Sequence, residues 1–114
     1  MAYDTKLADR VREHLTQFPE FNIREKKMFG GLAFLINGKM CINVSGRNLM
    51  CRYDTKLEQN ISQKRGFKPM VMKGKVLKGY CYVQPPGFNK QKDFDFWMEV
   101  CLQFNKLAKA TTRR

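Results

Sequence analysis

Apolar residues recur at helical spacing at both ends of the chain, whereas the residues between them follow patterns typical of β-strands. The first stripe predicts a helix over residues 4–17, with Asp4 as its N-cap and Pro19 just beyond its end. The second predicts a helix over residues 90–109, one face of which carries Phe94, Trp97, Met98, Cys101, Phe104 and Ala108. Its far side carries a narrower apolar seam of Phe96, Val100 and Leu107. A helix that is apolar on two sides is either sandwiched or in contact with a partner.

The middle of the chain is organised around residues 26–44, where two apolar runs flank Asn37-Gly38. Asn-Gly between apolar runs is the strongest short-range hairpin signal, because a type I′ turn needs positive φ at both central residues. We therefore predict strands over residues 26–36 and 39–45. Counting outward from the turn places Phe34 opposite Cys41.

This register divides the hairpin into two faces. One is entirely apolar, and we expect helices to cover it: Phe29, Ala33, Leu35, Met40, Ile42 and Val44. The other is mixed: Leu32, Phe34, Ile36, Lys39, Cys41 and Asn43. Solvent-facing sheet positions are usually polar, so Leu32, Phe34 and Ile36 join the helix seam as a candidate protein interface. A register shift of one residue would exchange the two sets.

Glycines mark the architecture of this region. Gly30-Gly31 lies inside the first predicted strand, where paired glycines indicate a bulge or the close approach of another backbone or a ligand. A phosphate loop is excluded because strand pattern, not a helix, follows the glycines. The residues of the structural motif are Phe29, Gly30, Gly31, Asn37, Gly38 and Gly79.

The remaining pattern completes an α+β fold. We predict a third strand at 49–53, a short helix ending at Gly66, and strands near 70–72 and 77–83, before a loop at Pro85-Pro86-Gly87. The order α-β-β-β-α-β-β-α predicts a two-layer sandwich, with an antiparallel sheet of about five strands and helices on one face. We expect one domain over residues 1–110 and a frayed basic tail at 111–114.

The chemistry-bearing residues are few. The four cysteines form no Cys-x-x-Cys pair and there is one histidine, which argues against a zinc site; we interpret Cys41, Cys51, Cys81 and Cys101 as reduced, buried thiols. His14 lies on the flank of the first helical stripe and is interpreted as a boundary residue. No Ser-His-Asp set, metal spacing or nucleotide loop is present, so we predict that the chain is not an enzyme.

Charge is distributed unevenly along the chain, whose net charge is +12. Residues 64–83 contain no acidic residue, and their basic residues are Lys64, Arg65, Lys68, Lys73, Lys75 and Lys78. These six are the candidate nucleic-acid contacts, because a one-sign block attracts polyanions. The alternative interpretation is a solvated block that keeps strand edges unpaired. No apolar run of membrane length and no secretory signal are visible, so we expect a cytoplasmic chain without membrane contact.

Taken in order, the motifs form a recognisable series. It runs Lys27-Met28-Phe29-Gly30-Gly31-x-x-Phe34, Asn37-Gly38, Met40, Leu49-Met50-x-Arg52, Met70, Gly74 and Lys78-Gly79-Tyr80-x-x-Val83 followed by a proline. An opening Met-Ala-Tyr-Asp helix and a closing helix with Trp97 flank it. Over almost its whole length the chain resembles the N-terminal domain of the TfoX/Sxy family.

The resemblance implies a two-layer α+β fold and a family named for regulators of natural competence and their transcription programme. In that family a helical C-terminal domain often follows, whereas here the chain stops at Arg114, so we expect a stand-alone domain. The family supplies no established catalytic residues to carry over.

We therefore expect a non-enzymatic regulatory or accessory protein that acts through protein–protein contacts, with another protein or a second copy of the chain as its partner. The alternative is direct, weakly sequence-selective nucleic-acid binding through the basic segment 64–78. We expect no cofactor and no metal.

Overall fold

The structure, a computed structural model, describes residues 3–28 and 30–106. The predicted first helix is α1 (Thr5–Leu15), and Asp4 caps it by accepting hydrogen bonds from the backbone N–H groups of Lys6 and Leu7. The backbone N–H of Asp4 donates to the carbonyl of Gly46 at 2.8 Å, which ties the start of α1 to the sheet. The predicted last helix is α3 (Gln91–Asn105).

Six strands form one antiparallel sheet: β1 (Ile23–Met28), β2 (Gly31–Ile36), β3 (Lys39–Ser45), β4 (Asn48–Arg52), β5 (Phe67–Met72) and β6 (Lys75–Val83). Their order across the sheet is β1-β2-β3-β4-β6-β5. The short helix α2 (Glu58–Ile61) lies between β4 and β5 and is preceded by a 3₁₀ turn at Thr55–Leu57. The α+β class is confirmed, with six strands where about five were predicted.

The additional strand comes from the glycine pair. The strand predicted over residues 26–36 is two strands, β1 and β2, joined by a tight turn in which Met28 pairs with Gly31 and Gly30 has a φ of +73°. Gly31 itself starts β2 and packs against the backbone of Val44, so no Cβ fits there. Phe29 lies outside the described residues.

The predicted hairpin turn is present, but the pairing register between β2 and β3 changes after the first two residue pairs. Asn37 and Gly38 have φ values of +54° and +82°, and Leu35 pairs with Met40 as expected. A β-bulge then shifts the pairing, so Phe34 pairs with Ile42 and not with Cys41. The prediction that Phe34 lies opposite Cys41 is therefore wrong.

The bulge also overturns the assignment of the two faces. The helices cover the face of Leu32, Phe34, Ile36, Cys41, Ile42 and Val44, which joins members of both predicted sets. Phe34 and Ile36 are fully buried and Leu32 nearly so. Within this chain these three side chains pack in the core and offer no free surface, so their selection as a protein interface is wrong.

Helices and sheet meet in one large core. α3 lies across β3 and β4, and α1 packs on the same side. The helix residues of this core are Leu7, Ala8, Val11, Leu15, Ile61, Phe94, Trp97, Met98, Val100, Cys101 and Leu102. Of the predicted seam on α3, Val100 is buried and Phe96 half-buried, whereas Leu107 lies outside the described residues.

The other face of the sheet is buried by strand residues. Its cluster comprises Ala33, Leu35, Met40, Met50 and Met70, with Met28, Leu77, Tyr80 and Tyr82 packed around it. A flat sheet of six strands would hold its edge strands about 24 Å apart, at about 4.8 Å per step. Because both edge strands contribute to one cluster, we infer that the sheet curls over this face. No helix in the described part of the chain is long and apolar enough to cross a membrane.

Candidate functional site

The β5–β6 hairpin ends at a tight turn at the edge of the sheet. Lys73 and Gly74 form the turn with φ values of +52° and +79°, the backbone region that two-residue hairpins require. Across the hairpin Val71 pairs with Val76, and Met72 pairs with Lys75. The backbone preference of glycine specifies this turn locally, and the break in the strand pattern at Gly74 is its signal in the sequence.

An irregularity separates this hairpin tip, residues 70–78, from the rest of the sheet. The register passes from Pro69 opposite Cys81 to Val71 opposite Val76, so β6 holds three residues more than β5 over this interval. Gly79 supplies the positive φ of +87° that such a bulge needs. The tip therefore follows a different pairing register from the rest of the β5–β6 pair.

The hairpin tip carries an unusual surface. In the described part of the chain, the large apolar side chains that remain exposed are Val71 and Val76, each at 56%, and Met72 at 44%. The same hairpin carries four exposed lysines: Lys68, Lys73, Lys75 and Lys78. Val71 and Val76 are paired and share one face of the hairpin, whereas Met72 lies on the opposite face with its partner Lys75. The hairpin thus combines an apolar centre, Val71 and Val76, with neighbouring charges of one sign, a composition typical of a protein interface with a polar rim.

The two other predicted basic contacts lie elsewhere. Lys64 and Arg65, just before β5, line a cleft of about 570 Å³ beside the start of α3. Its opposite wall carries Lys90 and Lys92, and the remaining lining residues are Pro86, Gly87, Asn89, Asp93, Phe96 and Trp97. The predicted segment 64–78 is therefore divided between two surfaces, the hairpin tip and this basic cleft.

Sequence reasoning missed the contribution of Lys90 and Lys92 to the cleft. Both lysines lie at the start of the helix predicted over residues 90–109, but no spacing or periodicity relates them to residues about 26 positions earlier. The two walls meet because β6 returns antiparallel to β5 and delivers the chain to Pro85–Gly87, next to Arg65.

His14 of α1 lies next to an acidic residue of another helix, Asp95 of α3. Its Nδ1 lies 3.5 Å from Oδ1 of Asp95 in α3, and its ring meets Phe94 edge-on at 5.9 Å. The guanidinium group of Arg10 lies over the ring of Phe94, 4.1 Å from its centroid, and burial lowers the pKa of Arg10. This arrangement connects α1 to α3.

Among the residues that the structure describes, no group of three or more His, Cys, Asp or Glu could hold a metal ion.

The four cysteines are buried in the helix-side core, where three of them meet. Cys51 pairs with Cys81 across β4 and β6, and Cys101 of α3 contacts Cys51. Contacts with Cys101 and Cys81, together with burial, raise the pKa of Cys51 well above its usual value. Burial likewise raises the pKa of Cys41. A thiol that resists ionisation in this way is a poor nucleophile and a poor metal ligand.

Comparison with known proteins identifies one family. The TfoX N-terminal domain family matches residues 13–105, from the end of α1 to the end of α3. No curated protein and no solved structure matched the chain. The family match confirms the family expected from the motif series.

Proposed function

Because the chain belongs to the TfoX N-terminal domain family, we propose that it is a non-enzymatic regulatory protein that binds another protein through its β5–β6 hairpin tip. The family is consistent with a regulator of the competence type. One observation carries the choice of surface, namely that the exposed apolar residues and four exposed lysines coincide on one hairpin.

The partner that this surface fits is acidic around an apolar centre. Val71 and Val76 lie opposite each other, so both side chains project from the same face of the hairpin. Burying them against a partner removes apolar area from water, which favours association. The lysine rim would contribute chiefly to the association rate and to partner choice, because rim charges are well solvated.

Site-specific photo-crosslinking tests this proposal. A photoreactive amino acid replaces Val76 in the full chain, and a matched control places it at Gln103, an exposed position on α3. We expect position 76 to give a discrete protein adduct in native lysate that survives nuclease treatment. The triple variant K73E/K75E/K78E should weaken it, because the partner is acidic. Identical adducts from both positions would contradict the proposal.

Direct nucleic-acid binding is the second candidate. One observation in its favour is that residues 64–83 contain no acidic residue. Another is that the lysines lie on a two-stranded β-ribbon, an element that fits into the major groove of DNA. Such binding would weaken steeply with salt, because lysines that neutralise phosphates release counterions. The apolar centre of the tip favours the protein partner, since nucleic-acid interfaces are strongly polar and charged.

An anisotropy titration with duplex DNA and RNA at low and high salt separates the two candidates. The variant K73E/K75E/K78E is compared with K6E/K26E/K27E, which changes the net charge equally at exposed lysines elsewhere. Salt-sensitive binding lost only in the hairpin variant would establish the nucleic-acid function. Equal loss in both variants would indicate general attraction to a basic protein.

A further inference from the structure

The basic cleft has no part in the hairpin proposal and carries a separate inference. Its volume of about 570 Å³ falls within the range of small-molecule sites, about 300–1,000 Å³. The cleft is open to solvent and has two walls, one from the segment that precedes β5 and one from residues 86–97, which include the start of α3. Both walls carry cations, so the cleft is positively charged as well as large enough for a small molecule.

The cations of the cleft point to a multiply charged anion. The lining brings Lys64 and Arg65 together with Lys90 and Lys92, and Asp93 is the one carboxylate in it. Within residues 3–28 and 30–106, none of these four cations forms an ion pair. Unpaired charges of one sign that line a cleft focus the electrostatic field inside it. Four of them suit a phosphate or diphosphate better than a single carboxylate.

An aromatic wall lies directly beside these charges. The half-buried ring of Phe96 has the ammonium group of Lys64 4.3 Å from its centroid and meets Trp97 edge-on at 5.3 Å. Pro86 extends the apolar part of the lining. The cation–π contact holds Lys64 at the cleft, and no carboxylate of the described residues forms an ion pair with its ammonium group. A ligand with a ring next to its phosphate fits this arrangement, in which an aromatic surface adjoins the cationic one.

The floor of the cleft is held by backbone contacts. A Cβ on Gly87 would overlap the carbonyl oxygen of Arg65, and one on Gly66 would lie 2.8 Å from the carbonyl oxygen of Gln84. The Gln84 N–H donates to the Gly66 carbonyl at 2.8 Å, and Trp97 Nε1 donates to the Gly87 carbonyl at 3.1 Å. These contacts set the spacing of the two walls before any ligand arrives, which lowers the cost of binding.

We propose that this cleft binds a nucleoside phosphate. Lys64, Arg65, Lys90 and Lys92 hold its phosphate groups, and the base or ribose rests against Phe96 and Pro86. The ligand is a free nucleotide or the phosphorylated end of a nucleic acid, since the two share this chemistry.

Isothermal titration calorimetry of the full chain with ADP, pyrophosphate and adenosine tests the site. We expect ADP to bind saturably, pyrophosphate to bind more weakly, and adenosine to give no measurable binding. Trp97 is the chain's single tryptophan and lies at the cleft, so its fluorescence gives an independent titration curve. Absence of saturable ADP binding would overturn the proposal.

Two double variants locate the site. K64A/K92A removes one cation from each wall, and the control K26A/K27A removes two exposed cations from β1, so the net charge changes equally. We expect K64A/K92A to weaken ADP binding at least about tenfold, and K26A/K27A to leave it within about twofold. Equal weakening in both would overturn the assignment to the cleft. Failure here leaves the hairpin proposal untouched, because different residues are changed.

Phe96→Leu tests the aromatic wall. Binding of ADP should weaken while that of pyrophosphate stays unchanged, and unchanged pyrophosphate binding also shows that the cleft is intact. If pyrophosphate binds as tightly as ADP in the unaltered chain, the assignment to a nucleoside is wrong.

A 5′-phosphorylated oligonucleotide, compared with its unphosphorylated form, shows whether the ligand is a free nucleotide or the end of a nucleic acid. Tighter binding of the phosphorylated form than of ADP assigns the cleft to nucleic-acid ends, and the reverse order assigns it to free nucleotides.

Discussion

Gly31 packs directly against the carbonyl oxygen of Val44, and no Cβ atom fits between them. The neighbouring Asn43 side chain closes the same space, because its Oδ1 would lie 2.7 Å from a Cβ at position 31. Its Nδ2 donates to the carbonyl of Met28 at 3.0 Å, across the turn that Gly31 completes. The close approach of strands β1, β2 and β3 therefore depends on one glycine.

Gly31→Ala is expected to destabilise the protein by about 2–3 kcal/mol, since backbone and a buried amide must move to accept the methyl group. Gly46→Ala is the matched control. Gly46 has a φ of +59° but nothing within 4 Å of its Cβ position, so only the left-handed conformation costs free energy, about 1–2 kcal/mol. Urea unfolding midpoints measure both. A smaller loss for Gly31→Ala than for Gly46→Ala would contradict the packing argument.

Asp4 is predicted to stabilise α1 by about 1 kcal/mol through its cap. Its carboxylate accepts hydrogen bonds from the N–H of Lys6 at 2.9 Å and of Leu7 at 3.3 Å. Asp4→Ala should lower the free energy of unfolding by that amount and accelerate amide exchange in the first turn of α1. Asp4→Asn keeps the acceptor and should cost much less. Equal effects of the two substitutions would show that charge, and not capping, is responsible.

Tyr53 is expected to make the protein sensitive to alkali. Burial, aided by the Glu58 carboxylate, raises the pKa of Tyr53 to about 12 from its ordinary 10.0. Between these values the unfolded chain loses the phenol proton while the folded chain keeps it. The unfolded state therefore binds fewer protons and stability falls as pH rises.

The expected loss near pH 11 is roughly 1–2 kcal/mol relative to neutral pH. Urea unfolding at a series of alkaline pH values measures it, with Tyr53→Phe as the control that removes the ionisable group. The difference between the two proteins should be constant below about pH 10 and shrink above it. A constant difference throughout would show that Tyr53 does not titrate in this way.

The four thiols are expected to be unreactive in the folded protein. Cys41 and Cys51 are fully or almost fully buried, and their raised pKa values suppress the reactive thiolate. Labelling with a chromogenic disulfide at mildly alkaline pH should be slow under native conditions and complete in denaturant. Its rate should follow the unfolding equilibrium as urea is added. Rapid labelling of even one thiol in the native protein would contradict this prediction.

Local signals in the sequence were reliable. Asn37-Gly38 specifies a turn by its own backbone preferences, and the Asp4 cap is satisfied within one helical turn. The helical stripe of α1 indicates which of its residues face the core, because periodicity needs no knowledge of the partner surface. In α3, Val100 and Leu102 join the core from outside the predicted stripe. The motif series was sufficient to identify the family, which the match over residues 13–105 confirms.

The candidate sites were predicted only in part. The acid-free run is visible in the sequence, but its division between a hairpin tip and a cleft depends on the bulge at Gly79 and on the return of the chain past Arg65. Lys90 and Lys92 entered the cleft through tertiary structure alone. Charge patterning along a chain carries no information about which distant segments meet.

The sequence by itself determined the helices, the hairpin turn, the α+β class and the family. Only the tertiary structure decided which face of β2 lies under the helices. The run Gly31–Ile36 is buried on both faces, so it lacks the polar–apolar alternation that distinguishes inside from outside. The β-bulge beyond the Leu35–Met40 pair determines which face is covered, because it directs both Cys41 and Ile42 toward the helix-side core. A bulge of this kind is stabilised by long-range packing, and that packing exists only once helices and strands have assembled.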